Sequence, residues 1–185
     1  MKALVIPRPI GWITAMSAQG DINLSPYSFF NLLSVNPDIV GFASEGRKDA
    51  LVFAEETKEF VCNLATWDHR DAMNGTARPA PRGENEMISA GLEAEPSVLV
   101  APPRVKGAPI ALECKWLQTI PLNPLDGSAS RYDLVLGQVV GVYIDDRYIK
   151  DGIVDSAAMK PIARAGYHDY FVSDTSTKFS MHWRA

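Results

Sequence analysis

The chain contains one stretch long enough to set its architecture, YDLVLGQVVGVYID at residues 132–145. The stretch is rich in β-branched and aromatic residues, which is typical of a strand. Gly137 and Gly141 interrupt it, and glycines inside a long strand often mark the bends at which a sheet curls into a barrel. The stretch therefore predicts a long, curved strand in a barrel.

The rest of the chain supplies further strands and a few short helices. Four more strands are predicted, at residues 10–17, 39–44, 59–65 and 110–120. Three short helices are predicted, at residues 49–57, 68–74 and 84–90. Between the last two helices, RPAPRG at residues 78–83 contains two prolines and predicts an exposed loop. We expect a single domain over residues 1–185, a mainly β barrel with short inserted helices.

Composition excludes several classes of protein. The net charge of −4 argues against a surface that binds nucleic acid. No run of 18 apolar residues is present to span a membrane, and the short apolar stretch before Pro7 predicts no signal peptide. Cys62 and Cys114 form no disulfide framework, and each lies in an apolar strand as a small hydrophobic residue would. We therefore expect a cytoplasmic protein with neither nucleic acid nor a membrane as its partner.

The sequence also lacks the common catalytic motifs. It has no GxGxxG after a strand, no P-loop, no GxSxG and no HExxH. His69, His168 and His182 lie far apart, without the spacing of metal ligands. The sequence predicts neither a metal site nor a nucleophilic cysteine.

Two segments near the N-terminus combine the features of an anion site. Residues 25–31, SPYSFFN, offer hydroxyl groups and aromatic rings. Residues 44–49, SEGRKD, pass from a strand end through a glycine to two cations and a predicted helix start. Backbone N–H groups at a helix start, its positive dipole end and an arginine together favour one phosphate group. The alternative is that the cations lie in a solvated turn and the two phenylalanines belong to the core.

A set of motifs runs through the chain in a fixed order. They are RPIGWIT at residues 8–14, GDINLSPYSFF at residues 20–30, Pro37, KDA at residues 48–50 and PIARAGYHDY at residues 161–170. Their order and spacing resemble those of the flavin reductase-like family of FMN-binding split barrels, from about residue 4 to residue 170. The resemblance implies an FMN-binding split β-barrel, that is, a Greek-key antiparallel barrel with short inserted helices.

The same resemblance implies non-covalently bound FMN and a set of residues that hold it. Thr14 and a loop of residues 25–31 would line the isoalloxazine ring. Ser44, Arg47, Lys48 and Asp49 would hold the ribityl phosphate, with Asp49 capping the helix rather than touching the anion. His168 would help to close the pocket, the alternative being an ordinary surface histidine. The expected cofactor-binding residues are Thr14, Ser25, Pro26, Tyr27, Ser28, Phe29, Phe30, Asn31, Ser44, Arg47, Lys48, Asp49 and His168.

For the activity, the resemblance implies an NAD(P)H-dependent flavin reductase that works as a homodimer and supplies reduced flavin to a partner oxygenase. One alternative is an FMN electron-carrier or storage protein that does not oxidise nicotinamide. Another is an oxidase of the pyridoxamine-phosphate type, which would need a second phosphate cluster that the sequence does not show. Hydride transfer needs the nicotinamide C4 about 3–3.5 Å from the flavin N5 and no titratable side chain. No catalytic residue is therefore predicted.

Overall fold

The computed structural model describes residues 1–182. Its strands are β1 (Arg8–Pro9), β2 (Gly11–Met16), β3 (Ile22–Tyr27), β4 (Phe30–Val35), β5 (Asp38–Glu45), β6 (Glu59–Leu64), β7 (Ala94–Glu95), β8 (Arg104–Val105), β9 (Ile110–Pro121), β10 (Tyr132–Ile144), β11 (Ile149–Lys150), β12 (Ile153–Val154), β13 (Ile162–Arg164) and β14 (Tyr170–Val172). The α-helices are α1 (Asp49–Thr57), α2 (Arg70–Gly75) and α3 (Glu86–Ser89). Short 3₁₀ helices cover Trp67–His69 and Asp146–Tyr148.

Seven strands form one antiparallel sheet in the order β3-β2-β6-β9-β10-β5-β4. β3 and β4 lie at its opposite edges, although only Ser28 and Phe29 separate them in the chain. Strands lie about 4.8 Å apart, so a flat sheet of seven would be roughly 29 Å wide, far beyond the reach of two residues. The sheet must therefore curl until its edges approach, which confirms the predicted split β-barrel. We call the Ser28–Phe29 connection the seam of the barrel.

Both glycines in the longest strand lie where its pairing changes. The β9–β10 ladder shifts register between Leu136 and Gly137, and again between Val139 and Gly141. Such bulges bend a strand and increase its twist. At Gly137 the absent side chain also makes room for Phe60, because a Cβ there would lie 2.3 Å from the Phe60 Cζ. The prediction that these glycines mark bends is confirmed.

The inner face of the sheet and α1 share one hydrophobic core. Leu51 and Phe53 of α1 belong to the same buried cluster as Phe42 of β5 and Phe60 of β6. This apolar face fixes the helix on the sheet, since each fully buried aliphatic or aromatic side chain contributes about 1.5–3 kcal/mol. The packing holds the N-terminus of α1 at one end of the barrel.

A second cluster lies on the outer face of β2 and β3, under α2 and α3. Trp12 and Leu24 pack there against Met73 of α2 and Met87 of α3. The Trp12 Nε1 also donates a hydrogen bond to the Thr76 Oγ1, at 2.9 Å. These contacts hold the segment that follows α2 close to β3.

The two strands that meet at the seam are missing from the sequence prediction. Residues 25–31 are expected as a loop, but residues 25–27 end β3 and residues 30–31 begin β4. Pro26 lowers the strand propensity of this segment. Its place in β3 is an edge position, and an edge strand tolerates a proline because it need not donate a ladder hydrogen bond on its outer side. The loop prediction is therefore wrong here.

The remaining predictions of elements agree with the structure in type and differ at the ends. The helix expected at residues 68–74 begins as a 3₁₀ turn, and the helix expected at residues 84–90 is limited to α3, which Asn85 caps through its side chain. Cys62 and Cys114 are free and buried, and burial raises the pKa of the Cys62 thiol well above its ordinary value. No helix in residues 1–182 is long and apolar enough to cross a membrane.

Candidate functional site

A cleft of about 590 Å³ opens beside the seam of the barrel, and we call it the seam cleft. Its volume lies within the range of small-molecule sites, about 300–1,000 Å³. Eight of the predicted cofactor-binding residues line it, namely Ser25, Pro26, Tyr27, Ser28, Phe29, Arg47, Lys48 and Asp49. The structure thus brings the two predicted segments together around a single cavity.

Thr14 and Phe30 do not line the seam cleft. Side chains alternate along β2, so Thr14 shares the outer face with Trp12, where it is fully buried. Its hydroxyl accepts a hydrogen bond from the Asn63 Nδ2 at 2.9 Å. Phe30 packs against the core of the barrel and covers Gly11. Both residues support the sheet from these positions, and their contact with a flavin ring stays a prediction.

Asn31, Ser44 and His168 also lie outside the seam cleft. Asn31 is exposed, and its Oδ1 accepts the backbone N–H of the next residue. The buried Ser44 hydroxyl donates to the Gly46 carbonyl at 2.8 Å, and so stabilises the turn that leads into α1. His168 lines two neighbouring pockets, one of which adjoins the cleft.

The N-terminus of α1 differs from the prediction in its capping residue. Lys48 occupies the N-cap position, and no side chain in residues 1–182 caps the helix. Asp49 instead accepts the backbone N–H of Gly83 at 3.3 Å and pairs with Arg82 at 3.3 Å. Asp49 therefore fastens the loop of residues 78–83 to the mouth of the cleft, and its predicted role as a helix cap is wrong.

This loop forms a wall of the seam cleft that the sequence does not predict. Residues 76–80 and Arg82 line the seam cleft opposite β3, together with Glu86 of α3. The sequence marks the segment only as an exposed, proline-containing loop. The stretch contains two arginines, and its two prolines stiffen it. These features could have indicated a wall that faces a ligand.

The cations of the seam cleft differ in how they are paired. Three arginines bind carboxylates: Arg47 pairs with Glu55, Arg78 with Glu84 and Arg82 with Asp49. Lys2 and Lys48 have no carboxylate partner within residues 1–182. Lys48 is exposed beside the uncapped backbone N–H groups of α1, and both features attract an anion.

Two buried polar atoms at the other end of the cleft have no partner. The Tyr27 hydroxyl and the Asn23 Oδ1 lack a hydrogen bond within the described residues, although both side chains line the cleft. Buried polar groups are normally hydrogen-bonded, so these atoms suit a polar ligand edge. Burial raises the pKa of Tyr27 to about 12. The neighbouring Ser44 hydroxyl opposes this rise and the carboxylates of Glu86 and Asp49 add to it, so the phenol is a neutral donor at neutral pH.

Glu86 holds this end of the cleft in place. It is buried, and it accepts hydrogen bonds from the Asn23 Nδ2 at 2.8 Å and from the backbone N–H of Leu24 at 3.0 Å. Burial raises the pKa of its carboxyl group. Glu86 thus joins α3 to β3 and fixes the orientation of Asn23.

Fold and site together define a split-barrel protein whose seam cleft suits a ligand with an anionic end and a polar, planar end. Residues 1–157 match the family model described as the flavin reductase like domain. The chain therefore belongs to the flavin reductase-like family. Membership supports a flavin-related oxidoreductase with a flavin cofactor.

Individual relatives agree with this family. The chain is 34% identical over 172 residues to an uncharacterized protein of Halalkalibacterium halodurans, covering 90% of this chain and 81% of that protein. It resembles nitrilotriacetate monooxygenase component B from Bacillus cereus, with a TM-score of 0.89, 31% identity and coverage of 97% of this chain and 90% of that one. It also resembles 2-nitrobenzoate 2-nitroreductase from Pseudomonas fluorescens, with a TM-score of 0.85, 27% identity and coverage of 98% and 88%.

Proposed function

We propose that this protein is an NAD(P)H-dependent flavin reductase that binds FMN non-covalently in the seam cleft. One observation carries the proposal. A single cavity has an uncapped helix N-terminus with the unpaired Lys48 at one end, and the unpartnered Tyr27 hydroxyl and Asn23 Oδ1 at the other. A molecule with a terminal phosphate and a hydrogen-bonding ring satisfies both ends at once.

The phosphate end uses backbone as well as side-chain donors. The first turn of α1 offers N–H groups that no helical carbonyl can accept, and its dipole favours negative charge. Lys48 adds one charge-assisted hydrogen bond. Arg47 lies on the same wall, but its guanidinium is bonded to Glu55, so its contribution to phosphate binding is secondary.

The ring end uses the seam of the barrel. Tyr27 donates a hydrogen bond from its neutral hydroxyl, and Ser25 and Ser28 add hydroxyl groups along the same wall. Phe29 supplies a partly exposed aromatic surface, with the Tyr132 ring 5.8 Å away between centroids. These residues bind and orient the isoalloxazine, and the bound flavin supplies the hydride-accepting chemistry.

The electron donor and acceptor are proposed from the relatives. One similar structure is a monooxygenase component and another is a nitroreductase, so both are redox proteins that act with a second molecule. We infer that NAD(P)H reduces the flavin and that a partner oxygenase receives the reduced flavin, in the cytoplasm. A storage or carrier protein is the second candidate, because none of the described residues that line the seam cleft is specific for a nicotinamide.

Two measurements test this function. FMN should bind more tightly than riboflavin in a fluorescence titration, since only FMN carries the phosphate that the α1 end recognises. Stopped-flow mixing with NADH or NADPH should then bleach the bound FMN faster than it bleaches free FMN. Tight FMN binding without faster bleaching by either nicotinamide would replace the reductase with the carrier.

A homodimer is proposed from the apolar edge of the barrel. Leu32, Leu33 and Val35 of β4 are exposed by half or more, and β4 is an edge strand of the sheet. Exposed apolar edge strands are commonly covered by a partner, and C2 dimers are the commonest symmetric assembly. Light scattering should give twice the chain mass of 20.3 kDa. A monomer at micromolar concentration would contradict the proposal.

A further inference from the structure

A second cavity of about 360 Å³ adjoins the seam cleft, and we call it the arginine pocket. It lies between the N-terminal segment, β1 and the β13–β14 hairpin. The two cavities share four lining residues, Lys2, Pro26, Ser28 and Ala77. A molecule in the arginine pocket would therefore lie beside a ligand in the seam cleft.

The charged residues that line the arginine pocket are all cationic. They are Lys2, Arg8 and Arg164, and no aspartate or glutamate of residues 1–182 contributes to its wall. The seam cleft, in contrast, mixes its cations with three carboxylates, from Glu45, Asp49 and Glu86. Of the two cavities, the arginine pocket therefore has the less compensated positive charge.

Two of these cations oppose each other directly. In the antiparallel pairing of β1 with β13, Arg8 is the partner of Arg164. Directly opposed residues project from the same face of a sheet, and like charges in such positions are destabilising. Within residues 1–182 no carboxylate forms an ion pair with either arginine, so an anion bound beside the two side chains would relieve this repulsion.

Arg8 provides an independent observation. Its side chain is buried, with only 7% of its surface exposed. Its Nη1 donates to the carbonyls of Lys2 and Val5, and its Nη2 to that of Ala165 at 3.0 Å, while its Nε has no partner in the described residues. Neutral carbonyls orient a guanidinium but do not neutralise it, and a buried charge is costly unless it is paired.

Arg164 is also oriented without being neutralised. Its Nη2 donates to the Tyr167 carbonyl, and its Cζ lies 4.5 Å from the centroid of the Tyr170 ring. Tyr167 has a φ of 55°, a left-handed conformation that is costly for a bulky residue. No carboxylate in residues 1–182 pairs with either arginine.

We propose that Arg8 and Arg164 bind the anionic group, a phosphate or a carboxylate, of the second redox substrate, the molecule that exchanges electrons with the flavin. The proposal rests on the proposed function, because it assigns the neighbouring cavity to the flavin. Two kinds of second substrate carry such an anionic group. The diphosphate of a reduced nicotinamide dinucleotide and the carboxylate of an organic acceptor would both bridge the two guanidinium groups.

The anion site can be tested without flavin. Inorganic pyrophosphate should bind the flavin-free protein in isothermal titration calorimetry, and Arg164→Gln should weaken it roughly tenfold to a hundredfold, the worth of a charge-assisted hydrogen bond. Arg147→Gln is the matched control, because Arg147 is an exposed arginine already paired with Asp145. Arg8→Lys, which keeps the charge but loses the bidentate fork, should weaken binding by less. Equal pyrophosphate affinity in wild type and Arg164→Gln would overturn the proposal.

Two kinetic arms identify the source of the anion. Arg164→Gln should slow flavin reduction at low NADH but not reduction by N-benzyl-1,4-dihydronicotinamide, which has the same ring and no phosphate. If Arg164→Gln instead slows reoxidation of the reduced protein by 2-nitrobenzoate but not by nitrobenzene, the anion is the carboxylate of the acceptor. The assignment to the second substrate would be overturned if Arg164→Gln changed neither the reduction rate nor the reoxidation rate, or if it weakened FMN binding. Pyrophosphate binding without any flavin binding would refute the proposed function and leave the anion site standing.

Discussion

Lys48→Glu should weaken FMN binding by roughly a hundredfold or more and leave riboflavin binding nearly unchanged. Lys48 is the exposed cation at the start of α1, and no carboxylate in residues 1–182 pairs with it. Losing a charge-assisted hydrogen bond costs about 1.5–3 kcal/mol, and each 1.4 kcal/mol is about tenfold in affinity. The introduced carboxylate adds repulsion against the phosphate. Quenching of flavin fluorescence during titration measures both affinities.

Two controls make this result specific. Arg47→Ala should weaken FMN by less than Lys48→Gln does, because Arg47 is bonded to Glu55 and would have to break that pair to reach a phosphate. Lys58→Glu, at the opposite end of α1, places the same charge change away from the seam cleft. Equal losses of FMN and riboflavin, or an Arg47→Ala effect larger than that of Lys48→Gln, would refute the proposed phosphate site.

The long strands could be predicted because their sequence is self-consistent. Apolar and polar residues alternate along much of β9, and β10 is rich in β-branched residues. Each strand is longer than ten residues, so local propensity and burial agree. Gly137 and Gly141 are visible as exceptions within that pattern, and both coincide with bulges. Long elements with one strong period are the part of a fold that a single sequence indicates best.

The seam could not be predicted from local pattern. β3 and β4 are edge strands whose residues include Pro26, several polar side chains and exposed leucines, none of which is typical of a buried strand. Their pairing is decided by closure of the barrel, which is a property of the whole sheet. A segment can therefore appear to be a loop in the sequence and still form the seam, where the two edges of the sheet approach each other.

For the site, the residues that could be predicted are those whose role is local. Lys48 and Tyr27 lie within short segments whose composition indicates an anion and a ring, and both line the cleft. Thr14 lies on the outer face of β2 and not in the cleft, and the predicted capping role of Asp49 is wrong because its partner, Gly83, is 34 residues away. Contacts at such separations leave no trace in a local pattern.

The second wall of the cleft depends on a few long-range hydrogen bonds. The bond from Trp12 to Thr76 and the bonds from β3 to Glu86 join segments that are more than sixty residues apart. They hold the loop and α3 against the outer face of β2 and β3. The hydrophobic cluster on the outer face of β2 and β3 thus positions one wall of the cleft. The core cluster that contains α1 positions the other wall.

Gly137→Val should destabilise the protein by about 3 kcal/mol, at the upper end of the usual cost of overpacking a core. A Cβ at this position would lie 2.3 Å from the Cζ and 2.4 Å from the Cε1 of Phe60. Phe60 cannot move aside, because it is fully buried and packs edge-on against Phe42. For a chain of this length the melting temperature should fall by roughly 6–12 °C. Urea denaturation and calorimetry of the variant measure both quantities.

A double-mutant cycle shows whether the Phe60 contact is the cause. Phe60→Leu shortens the ring that occupies the space above Gly137, so the double variant Gly137→Val/Phe60→Leu should lose less stability than the two single losses added together. Gly75→Ala is the matched glycine control, since the nearest atom to a Cβ there is 4.0 Å away. Strict additivity in the cycle would show that the bulge at Gly137 is needed for its backbone geometry alone, and that Phe60 packing plays no part in closing the barrel.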